Sequence, residues 1–287
     1  MTASGRYQFR VRWLRAALSL SFCLLLSSPT GASAQSTTGT NFALTPHMAR
    51  YALIKTVESG GDILRAAGDL RVDMRESCAG WQQSQRLVLT IVQAGGQRLS
   101  LVKEFEAAEG SDRNSFAFTE ITTLDGRVID RRTGNANRFP GGAVIVDLTE
   151  PGAESFDLPT GSVFLFTHLD RILRRATAGS TIDRSLVFDG TLSEALDVVS
   201  EIEPSVPLEI ISQTARELLQ RGIVCPVKQL GFRLPGVDSG GSGREPLYRF
   251  DMKLHETGIA VELEIDLIDF ALRGDLIEGR LLPRAVC

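Results

Sequence analysis

The chain has 287 residues, 43% of them hydrophobic and 23% charged, with a formal net charge of −4. That length suits one large β domain or two small ones. The negative balance excludes a global attraction to nucleic acid or to anionic head groups, and no run after residue 34 is apolar for long enough to span a bilayer as a helix.

The first 34 residues read as a secretory signal peptide. Arg6, Arg10, Arg12 and Arg15 form a basic region, and Leu18 to Leu26 follow as a short apolar run. Ala32-Ser33-Ala34 then supplies the small residues a signal peptidase needs, so cleavage after Ala34 and a periplasmic location are expected. Phe22 before Cys23 is too bulky for a lipoprotein site. Removing residues 1–34 takes away four Arg and no acid, which leaves 253 residues at a charge of −8. Residues 35–46 are polar and weakly patterned and read as a flexible leader, so residues 47–287 are expected to form a single domain.

From there the period is mostly two. Leu70, Val72 and Met74 alternate with Arg71, Asp73 and Arg75, and Leu87, Leu89 and Ile91 alternate in the next run. Phe116 and Phe118, then Tyr248, Phe250, Met252 and Leu254, then Val261, Leu263 and Ile265 repeat the pattern. These are half-buried strands with one wet face. Ala94-Gly95-Gly96-Gln97, Asp125-Gly126 and Glu256-Thr257-Gly258 are hairpin turns between them, so an antiparallel meander is expected. One helix interrupts it over Ser162–Ala178, where Phe166, Leu169, Leu173 and Ala176 recur at three to four residues, Ser162 can cap the start and Gly179 ends it. Residues 212–221 read as a short second helix, and residues 236–244 as a flexible loop.

Cysteine use adds a constraint. Cys78, Cys225 and Cys287 remain after the signal is removed, in an oxidising compartment. Three cysteines allow three single bridges and always leave one thiol over. A bridge from Cys78 to Cys287 would close a loop of about 210 residues and, by chain entropy, contribute roughly 5 kcal/mol. Cys225 could equally take one of the partners.

Chemistry-bearing patterns are sparse. His47, His168 and His255 lie far apart in sequence, no Cys-x-x-Cys occurs, and no pair has zinc-ligand spacing. There is no Gly-x-Ser-x-Gly elbow and no phosphate-cradling loop. Asp183 and Asp189 flank a strand without the clustering that Ca²⁺ requires. Neither a metal nor a cofactor is expected. His168, on the expected helix beside Asp170 and Arg171, is the most interesting polar residue; no nucleophile or acid can be named to pair with it, and a hydrogen-bonded, partly buried role is the expectation. Trp81 after Gly80 is a candidate stacking surface, or the cover of a disulfide or core.

At Cys78 the pattern resembles a known family. Cys78-Ala79-Gly80-Trp81 resembles the Cys-x-Gly-Trp motif of the EipB-like family of periplasmic cell-envelope integrity proteins. Leu158-Pro159-Thr160-Gly161, Phe166-Thr167-His168, Ala176-Thr177-Ala178-Gly179, Val187-Phe188-Asp189-Gly190 and Glu256-Thr257-Gly258-Ile259-Ala260 are similar to further family motifs, in order, and the chain ends in the family's terminal Cys. Two departures stand out: Phe164-Leu165-Phe166 replaces the family's Phe-Pro before the helix, and Thr257 replaces an Asn.

The resemblance implies a mostly-β fold, an antiparallel curved sheet wound as an open, barrel-like β-spiral around one enclosed helix. It implies a Cys78–Cys287 disulfide and so a free thiol at Cys225. It also implies a non-enzymatic role in envelope integrity. Such a role would rest on binding a periplasmic or outer-membrane protein, or an envelope lipid or glycan. Trp81, His168 and Asp189 are the candidate binding or structural positions. The alternative is a carrier holding a lipid or acyl chain in the concave face of the sheet. A hydrolase built on His168 is the third and least favoured reading.

Overall fold

Alternating apolar residues along long strands bury one face when the sheet packs on another layer or curls around a core. The computed structural model describes residues 42–56, 62–210, 213–220, 222–234, 246–267 and 270–287, and shows that curl. The signal peptide, the leader up to residue 41 and the loop at 236–244 lie outside the described residues. Eight strands come first: β1 (His47–Lys55), β2 (Ile63–Ser77), β3 (Gly80–Gln93), β4 (Arg98–Gly110), β5 (Ser115–Leu124), β6 (Arg127–Arg138), β7 (Val144–Glu150) and β8 (Glu154–Leu158). Then come β9 (Val163–Phe164), the helix α1 (Leu165–Thr177), β10 (Ile182–Phe188), β11 (Leu196–Ile202), β12 (Val206–Pro207) and the helix α2 (Gln213–Leu219). Four strands close the chain: β13 (Ile223–Phe232), β14 (Pro246–His255), β15 (Ala260–Leu267) and β16 (Phe270–Leu281).

They form one sheet in the order β8-β7-β6-β5-β4-β3-β2-β1-β16-β15-β14-β13-β11-β10-β9, with β12 beside β13. The first and last strands pair, from His47↔Leu281 to Lys55↔Leu272. The sheet is mostly antiparallel and does not close: its two edges, β8 and β9, are neighbours in sequence but are not paired. The Asp125-Gly126 hairpin has φ of 49° and 78°, the two positive values that a two-residue turn matching sheet twist requires.

α1 differs from the expected helix at its start. Val163 and Phe164 pair in parallel with Val187 and Phe188 of β10, so the chain is strand up to Phe164 and helix only from Leu165. Ser162 therefore caps nothing; its hydroxyl donates to Pro159 O at 2.7 Å. The end is as expected: Gly179 takes φ 67° and its N–H reaches Ala176 O while Ser180 N–H reaches Arg175 O, the paired bonds of a Schellman ending. The buried residues are Phe166, His168, Ile172 and Leu173, while Leu169 is half-buried. The apolar stripe is thus rotated toward Ile172 from the expected Leu169. Arg171 and Arg175 bind the buried Asp183 at 2.7 and 3.2 Å and tie the helix to β10.

Two apolar clusters fill the curl. One surrounds α1 and contains Phe105, Phe116, Phe118, Phe164 and Phe188; Phe116 stacks on Phe164 at 5.3 Å and Phe118 meets Phe188 edge-on at 5.6 Å. The other packs Leu208, in a 3-10 turn after β12, and Ala215 of α2 against Tyr51, Leu53, Leu89, Ile91, Leu272 and Leu276. Residues 42–46 are not the free leader expected. Phe42 and Leu44 are 3% and 4% exposed, and the backbone of Ala43 and Thr45 bonds to Glu256 and Thr257.

Candidate functional site

The residues singled out at Cys78–Trp81 sit at one mouth of the curled sheet, where the β2–β3 turn, the β4–β5 turn, the start of α1 and the C-terminal tail meet. Gly80 explains why this turn has its sequence. Its φ is 134°, and a Cβ there would lie 2.0 Å from the carbonyl oxygen of Glu109 on β4. Only glycine admits that approach. The close strands let Ser111 N–H bond to Ala79 O at 2.9 Å. Cys78 and Cys287 are bridged, with Cα atoms 5.6 Å apart, and pin the tail against the turn.

Behind the bridge, Trp81 turns inward and stacks on Phe166 at 6.3 Å with 23° between the rings. The two rings line a cavity of about 360 Å³. Charged groups ring it. Arg113 and Arg174 both reach Asp170, at 3.1 and 2.9 Å. Arg284 of the tail donates to Leu44 O at 2.7 Å and faces Glu76 at 3.5 Å. Glu109 is 4% exposed and accepts the backbone N–H groups of Phe166 and Thr167 at 2.8 and 3.1 Å, besides the Thr167 hydroxyl. Burial pushes its carboxyl above the ordinary range, and the bonds from Thr167 and Phe166 pull the other way. A platform of two rings with three guanidiniums at the rim is suited to gripping a polar or aromatic group, with cations placed for an anion or a π face.

His168 is not part of this mouth. It is 3% exposed, its Nε2 lies 2.9 Å from Gln229 Nε2, and Gln229 lies 3.1 Å from the Ser200 hydroxyl. Nε2 and the amide are thus hydrogen-bonded to each other, and Nδ1 is buried without a partner among the described residues. Burial lowers its pKa to about 4, with Asp183 opposing. The serine is fully buried and the amide stands between it and the imidazole, so the three form a structural chain. Asp189 Oδ1 accepts from the Thr191 N–H and hydroxyl at 2.9 and 2.7 Å and shapes the β10–β11 turn. Gly190 beside it has φ 85°, and a Cβ there would strike the Phe118 ring at 2.4 Å. Cys225 is 1% exposed with its thiol 3.3 Å from Glu203 O, and burial raises its pKa. Among the described residues no group of three or more His, Cys, Asp or Glu could hold a metal, and no helix is long and apolar enough to cross a membrane.

Sequence reasoning missed Glu109, Arg113, Arg174 and Arg284. Their roles depend on tertiary neighbours; the one local signal was a helix start with no acid in its first turn, which calls for a donor-satisfying group from elsewhere.

The chain is 26% identical over 244 residues to the Cell envelope integrity protein EipB of Brucella abortus, covering 82% of this chain and 83% of that one. Its fold is similar to the crystal structure of a beta-barrel-like protein of a domain of unknown function from Brucella abortus, with a TM-score of 0.76 and 20% identity over 84% of this chain and all of the other. The EipB-like family model matches residues 38–283, and the chain belongs to that family.

Proposed function

We propose that the protein is exported, cleaved after Ala34, and works in the periplasm as a non-enzymatic support of cell-envelope integrity. It does so by binding a protein partner or an envelope component at the Trp81 mouth. The envelope role is supported by the Brucella abortus relative, which bears that description and covers most of this chain. The observation that carries the binding mode is the Trp81–Phe166 platform beneath Arg113, Arg174 and Arg284, held in place by the Cys78–Cys287 bridge. The concave interior is occupied by α1 and six further buried phenylalanines, which favours docking over the carriage of an acyl chain.

The test is genetic. A strain lacking the protein should become sensitive to detergents and to wall-acting antibiotics, and the wild-type gene should reverse this. Unaltered sensitivity in the deletion strain would reject the envelope role.

A further inference from the structure

The face of the sheet turned away from α1 holds an unusual register. Arg50 stands directly opposite Arg71 across the β1–β2 ladder, and Arg71 directly opposite Arg86 across the β2–β3 ladder. Like charges in direct cross-strand register are destabilising. Carboxylates on the flanks hold the row: Asp69 meets Arg50 and Arg71 at 3.3 and 3.4 Å, Glu278 meets Arg50 at 2.9 Å, and Glu104 meets Arg86 at 3.1 Å. Arg71 and Arg86 each meet their carboxylate most closely through Nε, and both side chains are more than half exposed. Arg280, opposite Met48 on β16, makes no ion pair among the described residues.

These four guanidiniums line one furrow of about 550 Å³, against two lining carboxylates, Asp73 and Glu278. Within the lining, guanidiniums outnumber carboxylates four to two, while Asp69 and Glu104 pair with the row from its flanks. At Asp73 and Ser84 the furrow runs into a second of about 560 Å³ over β3 to β6. Its lining mixes amides and hydroxyls, from Gln82, Thr119, Thr133 and Asn135, with the charged Arg75 and Glu106 and with Ala108, Ala117 and Phe118. From β16 to β6 the furrow crosses seven strands, roughly 29 Å at the spacing of a sheet. Neither half shares a lining residue with the mouth.

We propose that this furrow docks a phosphorylated glycan. The arginine row takes the phosphates, because terminal guanidinium nitrogens bind phosphate oxygens in parallel pairs. The adjoining half takes the sugar, whose hydroxyls both donate and accept and so match amides and hydroxyls. An acidic peptide fits less well. Extended peptides gain affinity from a free strand edge and from pockets for alternate side chains, whereas the furrow crosses mid-sheet strands that are paired on both sides. A bare anionic bilayer is repelled by the net charge and is flat where the furrow is concave. The site goes beyond the proposed function and is independent of the mouth.

The experiment is a calorimetric titration of the mature protein with diglucosamine bisphosphate as the probe, beside unphosphorylated diglucosamine, inorganic phosphate, a decaglutamate peptide and phosphatidylglycerol vesicles. The bisphosphate should bind at least about tenfold more tightly than each of the others, and less tightly as salt rises. Arg71→Gln and Arg86→Gln should each weaken it about tenfold. Both side chains are more than half exposed, so both variants should melt as the wild type does. Arg273→Gln, on the same face but paired with Asp275 and outside the furrow, should bind normally, as should Trp81→Ala. Undiminished binding by folded Arg71→Gln and Arg86→Gln would overturn the proposal, as would no binding, or equal or tighter binding of the peptide, the vesicles or the unphosphorylated sugar.

Discussion

Glu109 Oε2 lies 2.8 Å from the backbone nitrogen of Phe166, so a carboxylate on β4 caps α1 across 57 residues of sequence. The negative charge faces the positive end of the helix dipole and satisfies two donors that the helix leaves free. Glu109→Ala should therefore lower stability by about 1–2 kcal/mol, the range of a lost cap. Urea unfolding at pH 7 measures it. Because burial raises the Glu109 pKa, the folded state holds that proton more tightly than the unfolded one. Its contribution to stability should thus fall as pH rises from the ordinary glutamate value through the raised one, and Glu109→Gln should remove that slope.

His168 gives the opposite slope. Its pKa falls from 6.5 to about 4 on folding, so between those values the unfolded chain binds more protons and acidification destabilises the fold. The loss from this one group should reach about 3 kcal/mol by pH 4. Unfolding free energies of wild type and His168→Gln across pH 4–7 give the difference; parallel curves would mean that the imidazole is not held neutral by burial.

The Cys78–Cys287 bridge spans 209 positions. Cys78→Ser should cost several kcal/mol, with roughly 5 kcal/mol as the chain-entropy ceiling. Non-reducing peptide mapping should recover Cys78 linked to Cys287, and Cys225 should resist thiol reagents until the protein unfolds, since it is 1% exposed.

Leu173 is 2% exposed within the α1 cluster. Leu173→Ala should cost about 2–5 kcal/mol, and Leu173→Asp should prevent accumulation of folded protein. A Leu173→Asp protein as stable as wild type would place the helix outside the curl.

The strands were legible because burial on one face writes itself locally: Val261 and Leu263 are buried while Glu262 between them and Glu264 after them are not. Gly179 was legible for a similar reason, since its turn demands a backbone that other residues resist, while Gly80 showed only through its motif. What was not legible depends on pairing between distant segments. Nothing near Ser162 announces that Val163 and Phe164 will join β10 and delay the helix. Nothing in a polar leader announces that Phe42 and Leu44 will be buried beside α1. Arg50, Arg71 and Arg86 look like ordinary wet-face residues until the register sets them side by side. The mouth was half legible: Trp81 and the cysteines through their motif, but its arginines and Glu109 only through the fold.

The central claim is that the protein supports the envelope by binding at the Trp81 mouth, with His168 serving the fold. Complementation of a deletion strain, scored as survival in detergent at matched protein levels, tests it most directly. Arg174 is 72% exposed at its side chain, so Arg174→Glu changes the rim without disturbing the core. The account predicts that His168→Ala complements fully, while Trp81→Ala and Arg174→Glu do not. A folded, normally abundant His168→Ala protein that fails, beside mouth variants that succeed, would contradict it.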